Sequence, residues 1–304
     1  MLRRLAGAAE GGALGVEDHL VERSGTSRGS RSPRVFTLVL VVAFVLVGAA
    51  SRAWAVGDRG ADGEFSRRDS FHFNLYQDVE IDESSGVYGS RKVVQDLLSE
   101  LAAAFDRLDA LLSLRPERKI DVYVWDPALF DRQYAGLFRF PAAGFYGGAI
   151  HIRGRVRVTP PLVRVLHHEL VHAAFDAEAP RVSLPAWMNE GIAEWFEARA
   201  LGKRGLNARE GSTLLRLAQQ GQLYALADLA EPSFGGFGPN AAAVAYLESY
   251  AFIDHLVRTH GEDDLARFWS AVVRSRSLDR GARRAYRKDL AELEAEFRRS
   301  LERR

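Results

Sequence analysis

Two histidines four residues apart frame a glutamate in His168-Glu169-Leu170-Val171-His172, inside the helix-forming run PLVRVLHHELVHAAF that ends at Phe175. On a helix, such a pair stands about 40° apart around the axis and one turn apart along it, so both imidazoles can reach one ion. Thr159 is a favoured N-cap residue, and Pro160 is tolerated in a first helical turn. Glu169 projects beside the pair, placed to take a proton from an activated water rather than to hold the ion. His167 points about 100° away from His168 and reads as a packing or supporting residue.

A second helix is expected after Pro185, in AWMNEGIAEWFEA, with Ile192, Trp195 and Phe196 as its packing residues. A catalytic zinc site takes three protein ligands and keeps an open position. Glu190 can be the third ligand from a helix packed on the first. Glu194, one turn further on, can accept a hydrogen bond from the free ring N–H of a ligand histidine and fix its tautomer. The chain has no cysteine, so ligands must be nitrogen and oxygen; disulfides, thiolate sites and iron–sulfur clusters are excluded. No fourth ligand is apparent, which disfavours a closed structural site.

These residues resemble the gluzincin metallopeptidases, in particular peptidase MA-like proteins related to the M1 aminopeptidase and thermolysin groups. The resemblance covers roughly 71–304 and rests on three segments. They are His168 to His172, Trp187-Met188-Asn189-Glu190-Gly191-Ile192-Ala193-Glu194, and Ala245-Tyr246-Leu247-Glu248-Ser249-Tyr250 continuing to Gly261. It implies a zincin-like catalytic domain in which His168, His172 and Glu190 bind Zn2+, Glu169 is general base and acid, and Glu194 supports a zinc histidine. It also implies an oxyanion-stabilising tyrosine, matching Tyr246 fifteen residues before Gly261, with Tyr250 in reserve. Members of the aminopeptidase group carry a glutamate before the zinc helix that binds the substrate's free amine. Here no Glu lies between Glu117 and Glu169, and the corresponding stretch is GFYGGAIHIRG, Gly144 to Gly154. A glycine-rich edge strand of that kind can pair with an extended peptide. An endopeptidase acting on peptide or protein substrates is therefore the expected activity. The rival is an inactive, peptide-binding relative with a structural zinc.

The fold class expected is α+β: a small sheet layer, then helices. Strands are expected over Phe71 to Tyr76, Lys119 to Trp125 and Gly144 to Ile152, with an amphipathic helix from about Arg91 to Leu114. Beyond Thr159 nearly everything reads as helix, broken near 176–185, 202–210 and 231–240. The loop Ser233 to Asn240 reads as a connector. Tyr286, Leu290, Leu293, Phe297 and Leu301 form one apolar stripe on a final docked helix.

Upstream, residues 1–34 read as a disordered basic segment. Val35 to Ala50 is an uncharged apolar run behind Arg28, Arg31 and Arg34. At ~1.5 Å per residue it spans about 24 Å, between a signal-peptide core and a full membrane span. A linker over 51–70 is expected to lead into the domain at 71–304. Either reading of 35–50 places that domain outside the cytoplasm, membrane-anchored or secreted. Residues 56–304 carry 34 basic against 36 acidic groups, which gives no electrostatic case for nucleic acid.

Overall fold

Alternation of apolar and polar residues builds the sheet. The computed structural model describes residues 65–78, 90–134 and 143–302. Five strands, β1 (Ser66–Asp69), β2 (Phe73–Gln77), β3 (Ile120–Trp125), β4 (Gly144–Tyr146) and β5 (Ile150–Arg153), pair in the order β1-β2-β3-β5-β4. The central pairs β2–β3 and β3–β5 are parallel, and the outer pairs are antiparallel. Phe73 sits opposite Ile120 and Leu75 opposite Val122, while Val122 and Val124 face Ile150 and Ile152. That ladder forms one buried face. On the other face Tyr76, Tyr123, His151 and Phe145 stack ring on ring across four strands, at centroid distances of 4.6, 5.2 and 4.8 Å. Trp125, Phe130 and Tyr134 close that aromatic cluster.

Strand β1 lies within the stretch read as linker, and the single strand read over 144–152 is a hairpin. Gly148, at φ +87°, supplies its turn. A helix not foreseen, α2 (Pro127–Tyr134), begins where Asp126 Oδ1 accepts from the N–H groups of Ala128 and Leu129 at 2.8 and 3.0 Å. The sequence carried that signal as Asp-Pro, a capping residue before a first-turn proline. Residues 35–50 lie outside the described part. Among the described residues no helix is long and apolar enough to cross a membrane.

Helices α1 (Ser90–Leu112), α3 (Pro160–Glu178), α4 (Ala186–Ala200), α5 (Ala208–Gln219), α6 (Pro239–His260), α7 (Glu262–Ser275), α8 (Leu278–Tyr286) and α9 (Leu290–Glu302) make up the rest. The stripe of Val94, Leu97, Leu101, Phe105 and Leu108 buries α1 against the apolar face of the sheet and against α3 and α7. Trp269 Nε1 donates to Leu112 O at 2.7 Å, satisfying a carbonyl at the end of α1 that has no partner within the helix. Helix α3 packs on β4 and β5 on one side and on α4 on the other, and α4 packs in turn on α6. Residues Val165 to Phe175 and Ala186 to Ala198 are buried without interruption. Neither helix has a solvent face along those stretches, so their polar side chains lie inside the protein.

The final amphipathic segment is two helices rather than one. Arg287 adopts the left-handed conformation at φ +60°, and α9 restarts with a reciprocal cap. Glu292 N donates to Asp289 Oδ1 and Asp289 N to Glu292 Oε2. Tyr286, Leu293, Phe297 and Leu301 are all buried, on both sides of the break.

Glu248 of α6 holds the adjoining loop, its Oε2 accepting from Tyr224 N at 3.0 Å, while its Oε1 is buried without a partner. Burial pushes its carboxyl from an ordinary 4.5 up to about 8, against the pull of the Tyr224 N–H and Arg298. The folded chain therefore binds this proton more tightly than the unfolded chain does. The resulting stability is fully present below about pH 4.5 and is lost as pH rises through about 8. Glu248→Gln keeps the acceptor and removes the charge. It should match the parent near pH 4.5 and be the more stable protein above pH 8, as read by urea unfolding across that range.

Candidate metal centre

The His-Glu-x-x-His turn lies where α3 is wholly enclosed, so its three polar side chains face the neighbouring helix instead of water. Thr159 occupies the N-cap of α3 in extended conformation, although its hydroxyl makes no capping bond, and Pro160 opens the helix. Helix α4 starts against a loop: Ala186 N and Trp187 N donate to Glu231 O and Leu229 O at 2.8 and 3.2 Å. Two first-turn N–H groups are thereby satisfied, and the rotation of α4 is set.

That rotation brings Glu190 to the histidines. Its Oε2 stands 3.3 Å from His168 Nε2 and 3.6 Å from His172 Nε2, and all three residues are buried. Ligands bound at ~2.0–2.1 Å around a tetrahedral ion are about 3.4 Å apart, so these separations fit a shared ion. Asn189 Oδ1 lies 3.1 Å from His172 Nδ1 and can only accept, so His172 carries its proton on Nδ1. Its Nε2 lone pair is left facing Glu190, and both Nε2 of His172 and Oε1 of Glu190 lack hydrogen-bond partners. Such orphans are costly in a protein interior unless something is bound there.

His167 points away, as expected. Its Nδ1 donates to Val163 O at 2.9 Å, and its Nε2 accepts from Arg107 Nη1 at 3.1 Å. The role given to Glu194 needs correction. The carboxylate that meets His168 Nδ1 is Glu197, with Oε2 at 3.4 Å, whereas Glu194 Oε2 accepts from Arg164 Nη2 at 3.1 Å. Glu197 and Asn189 are the supporting residues that sequence reasoning missed.

Charge in this enclosure is sharply sorted. Burial opposes ionisation of Glu190, but His172 and His168 beside it outweigh that and draw its carboxyl down to about 2. For Glu169 burial prevails over both histidines and pushes the carboxyl up to about 7; neither of its oxygens has a partner. Burial and the charge of Glu197 raise Glu194, against Arg164. Burial also opposes charge on His168, yet its bonds to Glu190 and Glu197 raise it well above the usual histidine range.

A second cluster, His168, Glu194 and Glu197, also brings three ligand types together. There, however, the guanidinium of Arg164 already holds both carboxylates, at 2.5 and 3.1 Å, and takes the place of a cation. The first cluster is the better metal site.

Helix α6 roofs this site with Tyr246, 1% exposed and set beside Glu190. Burial and the charges of Glu190, Glu194 and Glu169 hold it well above the usual phenol range, so it stays a neutral donor. Phe234, in the short 3-10 turn Phe234–Gly236, packs edge-on against the Tyr246 ring at 5.1 Å. Tyr250 instead lies under Lys203 Nζ, 4.1 Å from its ring centre. Of the two tyrosines, Tyr246 is the one at the site.

A family model of the peptidase MA superfamily matches residues 101–303, well over half of the chain. Helices α3, α4 and α6 lie within the match. A search among curated proteins finds no match.

Gly191 sets how closely α6 can approach. A Cβ there would stand 2.7 Å from Ser249 O and 2.9 Å from the Ile253 side chain. Backbone cannot step aside cheaply, so Gly191→Ala should cost about 1–3 kcal/mol. It should also displace Tyr246 from Glu190. Urea unfolding gives the first quantity, and loss of divalent-metal affinity reports the second.

Proposed function

This chain belongs to the peptidase MA superfamily, and we propose that it is a zinc-dependent endopeptidase working outside the cytoplasm. One observation carries the reading: Glu169, wholly buried and with both carboxyl oxygens unpartnered, stands beside two histidines and a glutamate whose ligand atoms converge. A purely structural metal clamp has no use for a buried, unpaired carboxyl group.

His168, His172 and Glu190 would hold the ion, and two imidazoles with one carboxylate suit zinc with an open position. When bound, zinc supplies a Lewis acid that polarises a carbonyl and acidifies water. The remaining work belongs to side chains. Glu169, its carboxyl near neutrality, takes a proton from the attacking water at one carboxyl oxygen and gives it to the departing amine nitrogen. Tyr246, kept neutral, donates its hydroxyl proton in a hydrogen bond to the carbonyl oxygen as negative charge builds there. Asn189 holds the His172 ring by its Nδ1–H and so keeps Nε2 directed inward.

The edge position of β4 among the described strands supports an extended peptide as substrate, since an edge strand can take one more strand in register. The absence of a glutamate between Glu117 and Glu169 leaves that stretch without a carboxylate for a free amino terminus, which favours internal cleavage. The apolar run 35–50 behind three arginines supports placement of the domain across a membrane.

Glu169→Gln should keep its zinc, measured by elemental analysis, and lose about 10²–10⁴-fold in kcat on an unfolded protein substrate. Tyr246→Phe should keep its zinc and lose about 10²–10³-fold. Hydrolysis by Glu169→Gln within tenfold of the parent would overturn the proposal.

A further inference from the structure

Three of the buried glutamates come from one face of α4, at positions 190, 194 and 197, separated by four and three residues. Packing three carboxylates side by side against a histidine pair is unfavourable unless another cation reaches them. The residue that does is Arg164, on α3 one turn before His168. Its planar fork spans two acids, Nε donating to Glu197 Oε1 at 2.5 Å and Nη2 to Glu194 Oε2 at 3.1 Å. Glu197 turns its other oxygen, Oε2, to His168 Nδ1 at 3.4 Å. An unbroken run of contacts therefore leads from Glu194 through Arg164 and Glu197 to His168. It crosses between α3 and α4 three times.

We propose that Arg164 is a positioning residue for the metal site, acting through Glu197 to hold His168 as the tautomer that presents Nε2 to the ion. Glu194 is the second anchor of the guanidinium and not the partner of a histidine. This rests on the metallopeptidase reading above, but concerns the ligand rather than the hydrolytic step. With Nδ1–H directed at Glu197, any lone pair that His168 frees for an ion opens on Nε2, on the side of Glu190. Glu197 alone could rotate towards Arg164 or His168. Held through Oε1 by Arg164, it has only Oε2 left for the histidine. Lysine could not replace the arginine, because one ammonium lacks the fork that grips two carboxylates in fixed orientation.

Zinc affinity of the full-length chain, by competition with a chelator of known strength, tests the idea without reference to hydrolysis. Glu197→Gln and Arg164→Met should each weaken zinc about 10–100-fold. Because they act in series, the double variant should be no weaker than the worse single one. Arg164→Lys should remain at least several-fold weakened, and Glu194→Gln, which keeps an oxygen for the guanidinium, should weaken zinc less than Glu197→Gln does. Histidine nitrogen NMR of the zinc-loaded protein supplies a readout that loss of stability alone would not move. The His168 Nδ1–H signal should be present in the parent and shifted or exchange-broadened in Arg164→Met. Parental affinity in Glu197→Gln, or independent, multiplying losses in the double variant, overturns the clamp. A parent that binds zinc and shows the series effect, yet hydrolyses no peptide, sustains the clamp and sinks the peptidase reading.

Discussion

Placing seven ionisable side chains between two helices with no solvent face is the constraint from which the rest of this structure follows. His168, Glu169, His172, Glu190, Glu194 and Glu197 are buried, and Arg164 is largely so. Ionised groups in such surroundings cost several kcal/mol each unless partners are held in good geometry. The helices that carry them must therefore be fixed in rotation and separation. The sheet does this for α3 on one side, and the Leu229 and Glu231 carbonyls do it for the start of α4.

Separation from α6 is a matter of a single missing methyl group. Gly191 directly follows Glu190, and a Cβ there would stand 2.7 Å from the Ser249 carbonyl oxygen. Tyr246 lies one turn earlier on α6, and this close approach allows its hydroxyl to reach Glu190. Phe234, fully buried, backs the tyrosine ring from the preceding loop, so Ser233 to Asn240 is a connector with a structural foot in the site. Packing and chemistry share these residues, and a change to either is felt by the other.

Much of this was legible in the sequence, and the reasons are specific. Spacing of four on a helix turns His168 and His172 to one side whatever surrounds them, and the apolar residues of α1 and β3 betray their periods. What the sequence reading missed was Glu197, since it gave the support of a histidine to Glu194. Both lie on the Glu190 face of α4, and which one meets His168 depends on the helix rotation and on where Arg164 pulls. That information sits in a residue of another helix. The short elements failed differently: α2, β1 and the β4–β5 hairpin are each held by one cap or turn, with too few residues to show a period. The break at Arg287 was hidden by an apolar stripe that two helices share.

The four glutamates of the centre are chemically identical as residues, and their environments assign them different tasks. Glu190 touches two imidazoles and is drawn down to about 2, which makes it a permanent anion fit to hold a cation. Glu169 touches no donor and is pushed up to about 7, where a carboxyl can both accept and return a proton. Glu194 and Glu197 share one guanidinium, which stabilises negative charge in their vicinity while leaving one oxygen of Glu197 for a histidine. Divergence of this kind sets a lasting anion apart from a carboxyl that titrates near neutrality within a single enclosure. It arises from the order of partners along α3, where Arg164, His168 and His172 meet the acids of α4 in turn. Moving any one of those three by a single position would pair the wrong charges and leave an acid of α4 buried without its partner.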